Sequence, residues 1–238
     1  NMNMKNLKIK IFADGANEEQ MLKLSKLNYI KGLTTNPSLM KKAGIKNYTN
    51  FSKKILTKIK KKPISFEVFS DNLDEIYKQA KIISSWGKNV YVKIPVTNSK
   101  GRNCNSIIRR LSNENVNLNI TAVFTMSQIN SLKKVLNPKS KSIISIFAGR
   151  IADTGRNPSE IIKKSIKIFL KYKKTEILWA STREVFNIYE ANNLKCHIIT
   201  VTPDVLKKLQ LRNYSLKKYS LDTIRDFYND AKKVGYKI

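Results

Sequence analysis

Two cysteines, one histidine, eight glycines and six prolines are all that this chain of 238 residues holds of those types. Its 17 acidic residues face 46 lysines and arginines. Each scarcity excludes something. Cys104 and Cys196 stand far apart and without metal-ligand spacing, so no disulfide framework is expected and a reducing cytoplasm is the natural compartment. A single histidine, His197, and no clustered thiols leave no basis for a catalytic metal, and no cofactor is expected either. Gly-rich phosphate loops of the GxxxxGK[ST] or GxGxxG type are missing. No apolar stretch approaches the roughly 18 residues of a membrane span. The opening NMNMKNLKIK is polar and basic, without the apolar core of a secretory signal.

The shortage of acid leaves a net charge of +29. An excess of this size can mark a partner that is nucleic acid or an anionic membrane. Here the lysines are spread along the chain. The densest run, KKILTKIKKK at 53–62, falls within and just after a helical pattern. Lysine, asparagine and isoleucine are abundant together, as compositional drift produces. A solvated basic surface is therefore expected, with neither nucleic acid nor membrane as partner. The same positive field attracts phosphorylated substrates.

What is present is alternation. Short β-branched runs recur at 8–14, 31–35, 64–70, 90–96, 118–124, 142–148, 176–181 and 197–202. Amphipathic stretches such as EEQMLKLSKL, LDEIYKQAKIISSW and PSEIIKKSIKIFLKY lie between them, which is the mark of βα units and a parallel sheet. Helix-start chemistry stands at Asn36-Pro37-Ser38, Asn157-Pro158-Ser159 and Thr202-Pro203-Asp204. Eight such units predict an α/β fold, a single (β/α)8 or TIM barrel. A further amphipathic segment at about 220–234 becomes an extra C-terminal helix. The hydrophobic share of 41% suffices for one core, and no linker or repeat divides the chain, so 1–238 is read as one domain.

Side chains alternate across a strand, which predicts the barrel interior. In the fourth strand Val90, Val92 and Ile94 share the helix-facing side, so Lys93 points inward. The same logic turns Phe12 and Asp14 inward on the first strand. It places Ser65, Glu67 and Phe69 inside on the third, and Asn119 and Thr121 on the fifth with Ala122 outward. Polar groups thus gather near the C-terminal strand ends, where barrel enzymes keep their active sites. Burial disfavours a charged lysine and frees its amine to attack a carbonyl. Asp14 and Glu67 are then candidate proton shuttles, and Thr121 a holder of water between Glu67 and Lys93. An internal Lys93–Glu67 ion pair without chemistry is the plainer alternative. For phosphate, Arg150 after the sixth strand and Ser181 with Arg183 after the seventh are candidates. His197 opens the eighth strand at the far end and reads as structural.

The segments GLTTNPSLM (32–40) and VYVKIPVT (90–97) resemble the signature and the Schiff-base lysine segment of the transaldolase family. FADGA, SFEVFS, NITAVF, SIFAGRI, ILWASTR and ITVTPDVL follow in that family's order, so the resemblance spans about 8–211. It implies Lys93 as the Schiff-base lysine, Asp14 as proton donor and acceptor, and Glu67 with Thr121 around a catalytic water. It implies Thr34, Asn36, Asn119 and Ser145 against the dihydroxyacetone portion of the substrate, and Arg150, Ser181 and Arg183 at its phosphate. Two activities compete within the family: transfer of dihydroxyacetone between sugar phosphates, such as sedoheptulose 7-phosphate and fructose 6-phosphate, and its release by fructose-6-phosphate aldolases. The aldolase branch carries Gln and Tyr where this chain has Glu67 and Phe147, which favours the transferase of the pentose phosphate pathway. The resemblance also implies a homo-oligomer, a dimer, pentamer or decamer, since compact members of the family often form decamers and classical ones dimers. Trp179 is read as facing inward on the seventh strand, where it narrows substrate choice or fills the barrel.

Two other readings compete. A deoxyribose-phosphate aldolase needs its lysine on the sixth strand, where residues 142–148 contain none. A non-catalytic basic barrel binding nucleic acid predicts steeply salt-dependent binding and no trappable adduct.

Overall fold

The computed structural model describes residues 7–238; residues 1–6, the start of the polar opening, lie outside the described residues. Eight parallel strands close on themselves in sequence order: β1 (Lys10–Asp14), β2 (Ile30–Thr34), β3 (Ile64–Glu67), β4 (Val90–Pro95), β5 (Leu118–Val123), β6 (Ser142–Ile146), β7 (Thr175–Trp179) and β8 (Ile198–Val201). The helices are α1 (Glu18–Ser25), α2 (Pro37–Lys42), α3 (Tyr48–Lys58), α4 (Leu73–Ser85), α5 (Asn105–Asn113), α6 (Met126–Val135), α7 (Ala148–Asp153), α8 (Ser159–Ile168), α9 (Phe186–Asn193), α10 (Pro203–Lys207) and α11 (Leu216–Val234). The expected (β/α)8 barrel is the fold. Among the described residues no helix is long and apolar enough to cross a membrane.

The abundant asparagines begin many of these helices. Asn17, Asn36, Asn47 and Asn72 each accept a backbone N–H from the first turn, and Thr125 builds a reciprocal capping box with Gln128. Such caps are worth about 1 kcal/mol each. The other two anticipated starts are helix starts as well, with Pro158 just ahead of α8 and Pro203 opening α10. Asn157 bonds the N–H of Ser159 from outside the helix, and Thr202 makes no cap bond. The last helix begins at Leu216, ahead of the expected 220, because Ser215 caps it.

Alternation divides the core into two layers. Outward strand residues such as Val90, Val92 and Ile94 pack under the helices. Inward, Phe12, Ile143, Leu178, Ala180 and Ile198 form a smaller cluster that plugs the barrel, with Tyr91 and Phe147 against it. Gly32 makes room for that plug, since a Cβ there would stand 2.5 Å from the Phe12 ring.

Three orientations differ from expectation. Trp179 faces outward: it pairs with Ile146 and Ile199 and is buried in the strand–helix layer, while Leu178 and Ala180 hold the inward positions. It therefore cannot shape the interior. Phe69 lies beyond the end of β3, 62% exposed, and packs edge-to-face on Tyr48. Ala122 does not join the outward row. The β5–β6 register shifts between Ile120 and Val123, Ala122 takes a left-handed φ of 58°, and Val123 fills the outward place. An inserted residue of this kind re-aims its neighbours.

Candidate active site

The register builds the site's centre. Glu67 pairs with Lys93 across β3 and β4, and Lys93 pairs with Asn119 across β4 and β5, so three inward polar residues stand side by side. Lys93 is the only buried lysine among the described residues. Its Nζ donates to the Thr35 carbonyl at 2.9 Å and lies 3.9 Å from Glu67 Oε2. Asp14, at the end of β1, accepts from Thr34 Oγ1 at 2.9 Å, and Thr34 shares a further hydroxyl contact with Thr200.

Both acids sit where water is scarce. Burial raises the pKa of Asp14, against the opposing effects of the Lys93 charge and the Thr34 hydrogen bond. Burial also raises that of Glu67; Lys93 opposes the shift and Asp14 adds to it. Two carboxylates and an amine thus share one desolvated volume, and acids whose pKa burial raises are suited to taking and giving protons there.

A cavity of about 590 Å³ opens above them at the C-terminal strand ends. Every candidate residue except Asn119 lines it: Asp14, Thr34, Asn36, Glu67, Lys93, Thr121, Ser145, Phe147, Arg150, Ser181 and Arg183. Asn119 lies fully buried beneath, accepting from Ser145 Oγ at 2.7 Å and donating to Ser65 Oγ at 3.0 Å. Its amide is thereby fixed and braces Ser145. Asn36 spends its side-chain oxygen on the N–H of Leu39, which anchors the start of α2 at the rim.

The cationic wall depends on one close approach. A Cβ at Gly149 would fall 1.7 Å from the Ser181 carbonyl oxygen, so only glycine lets the start of α7 abut the segment after β7. Ser181 there takes φ 61°, a left-handed conformation that costs a non-glycine residue on the order of 1 kcal/mol and is often found at functional sites. Arg150 thus comes beside Ser181, its guanidinium 5.9 Å from the Phe147 ring. Arg183 is held by Asp153 at 2.6 Å.

Sequence reasoning missed Thr200, Thr182, Ser38 and Lys42, which also line the cavity. Thr200 was accessible to it: Ile199 and Val201 face the helices, so alternation turns Thr200 inward. Lys42, at the end of α2, carries no such signal. His197 lies at the opposite end, where its Nδ1 accepts the Ile177 N–H at 2.9 Å and burial lowers its pKa.

The fold and this cavity define an α/β-barrel protein with an interior lysine between two acids. Residues 11–238 match the family model described as Transaldolase/Fructose-6-phosphate aldolase, and the chain belongs to that family. A "Probable transaldolase" of Nitrosopumilus maritimus is 34% identical over 229 residues, 95% of this chain and 96% of that protein. One from Thermoplasma volcanium is 37% identical over 205 residues, 84% of this chain and 87% of that one. Among solved structures, a 3-keto-L-gulonate-6-phosphate decarboxylase from Vibrio cholerae shares the fold with a TM-score of 0.56 at 9% identity, covering 82% of this chain and 88% of that one.

Proposed function

We propose that this chain transfers a dihydroxyacetone unit between sugar phosphates through a Schiff base on Lys93. The observation that carries this reading is the buried Lys93 amine at the cavity floor, 3.9 Å from Glu67 and in one cavity with Asp14. The unprotonated amine adds to the ketone carbon of the donor, and water leaves to give an iminium. The Asp14 carboxylate takes the proton of the neighbouring carbinol, the carbon–carbon bond breaks, and its electron pair moves into the iminium to form an enamine. The aldose phosphate departs. The enamine then attacks the aldehyde carbon of an acceptor, Asp14 returns the proton to the new alkoxide, and water releases the product from Lys93. Glu67 and Thr121 hold that water, while Arg150, Ser181 and Arg183 take the phosphate.

Phe147 on the cavity wall, with no hydroxyl to offer the water, favours transfer over release. The free thiols of Cys104 and Cys196 suit a cytoplasmic setting. Leu216, Ile224, Phe227 and Val234 of α11 are exposed and none of that helix is buried, which supports assembly with further copies of this chain. A purely monomeric mass by light scattering would remove that part of the proposal.

The deciding experiment incubates the protein with fructose 6-phosphate, with and without erythrose 4-phosphate. Sedoheptulose 7-phosphate formed only with the acceptor supports transfer. Free dihydroxyacetone at an equal rate either way assigns the aldolase activity instead, and no product in either arm refutes both.

A further inference from the structure

The opposite end of the barrel is also concave. A bowl of about 560 Å³ opens at the N-terminal mouth, with Phe12, Tyr91 and Ile143 at its floor. Lys10, Lys31, Lys60, Lys61, Lys88 and Lys141 surround it, brought together from segments far apart in sequence. Glu176 is the one carboxylate lining it and is already paired with Lys10. Six lysines against one glutamate leave a net charge of +5 in a single recess.

The recess is built rather than loose. Asn89 Nδ2 donates to the carbonyls of Ile59 and Lys62, at 2.9 and 2.8 Å, clamping the turn that carries Lys60 and Lys61. Lys62 is turned away and spends its amine on the Leu27 carbonyl. Asn117 Nδ2 reaches the carbonyls of Lys88 and Val90 at 3.4 and 3.3 Å. A neighbouring recess of about 470 Å³ shares Tyr91, Lys141 and Glu176 and adds Lys173 and Lys174. Clustering like charges opposes folding, and this end of such a barrel is not where the substrate chemistry sits. An anionic occupant relieves that repulsion.

We infer that the N-terminal bowl binds a compact oligophosphate, a chain of several linked phosphates that is either free or carried by a small molecule. A single phosphate leaves most of the +5 unmatched. A volume of about 560 Å³ falls in the range of small-molecule sites. Single-stranded nucleic acid is disfavoured because it relies on aromatic platforms for its bases; Phe12 is buried and Tyr91 only half exposed.

The test is titration calorimetry of the full chain with inorganic tripolyphosphate. Saturable binding that weakens steeply with salt is expected, with affinity reduced at least about tenfold in Lys60→Gln/Lys61→Gln/Lys141→Gln. Arg150→Ala/Arg183→Ala, at the other end, should leave the bowl's affinity unchanged and remove only phosphate held in the catalytic cavity, which separates the two sites. A nucleoside triphosphate without divalent metal forms a second arm. Equal affinity means that phosphate alone is recognised, and tighter binding identifies a nucleotide as the source. Binding that is non-saturable, lost in the arginine variant, or unchanged in the lysine variant overturns the inference. So does a ten-nucleotide RNA that binds these lysines while tripolyphosphate does not.

Discussion

Lys93 and Glu67 are partners in register on adjacent strands, yet their charged ends stay 3.9 Å apart while the lysine donates instead to the Thr35 carbonyl. That geometry separates two roles which an internal ion pair would merge. A carboxylate evolved only to neutralise the amine gains most from a short, direct bond. Here both residues line the cavity into which the proposed mechanism brings a ketone carbon. The amine therefore has room to form a covalent bond without first breaking a tight pair.

Lys93 should be the point of attachment. Borohydride reduction in the presence of fructose 6-phosphate is expected to add mass to the Lys93 peptide, and Lys93→Met to lose activity on the order of 10⁴-fold or more. Mass on Lys42, the other lysine lining the cavity, would transfer the role to α2.

Glu67→Gln should slow turnover by about 10²–10⁴-fold, the usual worth of a positioned acid or base, while adduct trapping persists. Loss of the adduct in peptide mass spectrometry would mean that Glu67 serves bond formation rather than the water.

The raised pKa values of Asp14 and Glu67 couple activity and stability with opposite signs. From the ordinary carboxylate range up to the raised native values, the folded protein binds more protons than the unfolded chain. The stability these groups contribute is full below that window and is lost as pH rises through it. Activity that needs the Asp14 carboxylate rises over the same interval. Thermal melts and kcat/KM against pH should slope in opposite directions, and Asp14→Asn should flatten its share of the melting slope. Parallel slopes would contradict the assignment.

Gly149→Ala should be costly beyond its size. A methyl group 1.7 Å from the Ser181 carbonyl forces α7 away from the segment after β7, destabilising the fold by about 1–3 kcal/mol. KM for the sugar phosphate should rise more than kcat falls, because Arg150 moves with α7. An unchanged KM would place phosphate elsewhere.

Phe147→Tyr should raise release of free dihydroxyacetone relative to transfer by offering a phenolic hydroxyl to the water. A product ratio that does not change removes Phe147 from the partition.

Much of this protein was legible without coordinates, because side-chain alternation is a local property of a strand. Val90, Val92 and Ile94 placed Lys93 inside, and Ile9, Ile11 and Ala13 did the same for Asp14. Where the strand ended or slipped, that logic failed. Phe69 lies past β3, and the shift after Ile120 gave Val123 the place expected of Ala122. Trp179 shares the outward row of β7 with Ile177, while Leu178 between them points inward. Contacts between distant segments lay beyond any local pattern. The pairing of Arg183 with Asp153, the bracing of Ser145 by Asn119, and the meeting of Gly149 with Ser181 depend on how the barrel closes. Local pattern determined the eight strands and the inward lysine. Closure of the sheet decided which loops meet, because it brings together segments whose sequence distance carries no trace of their separation in space.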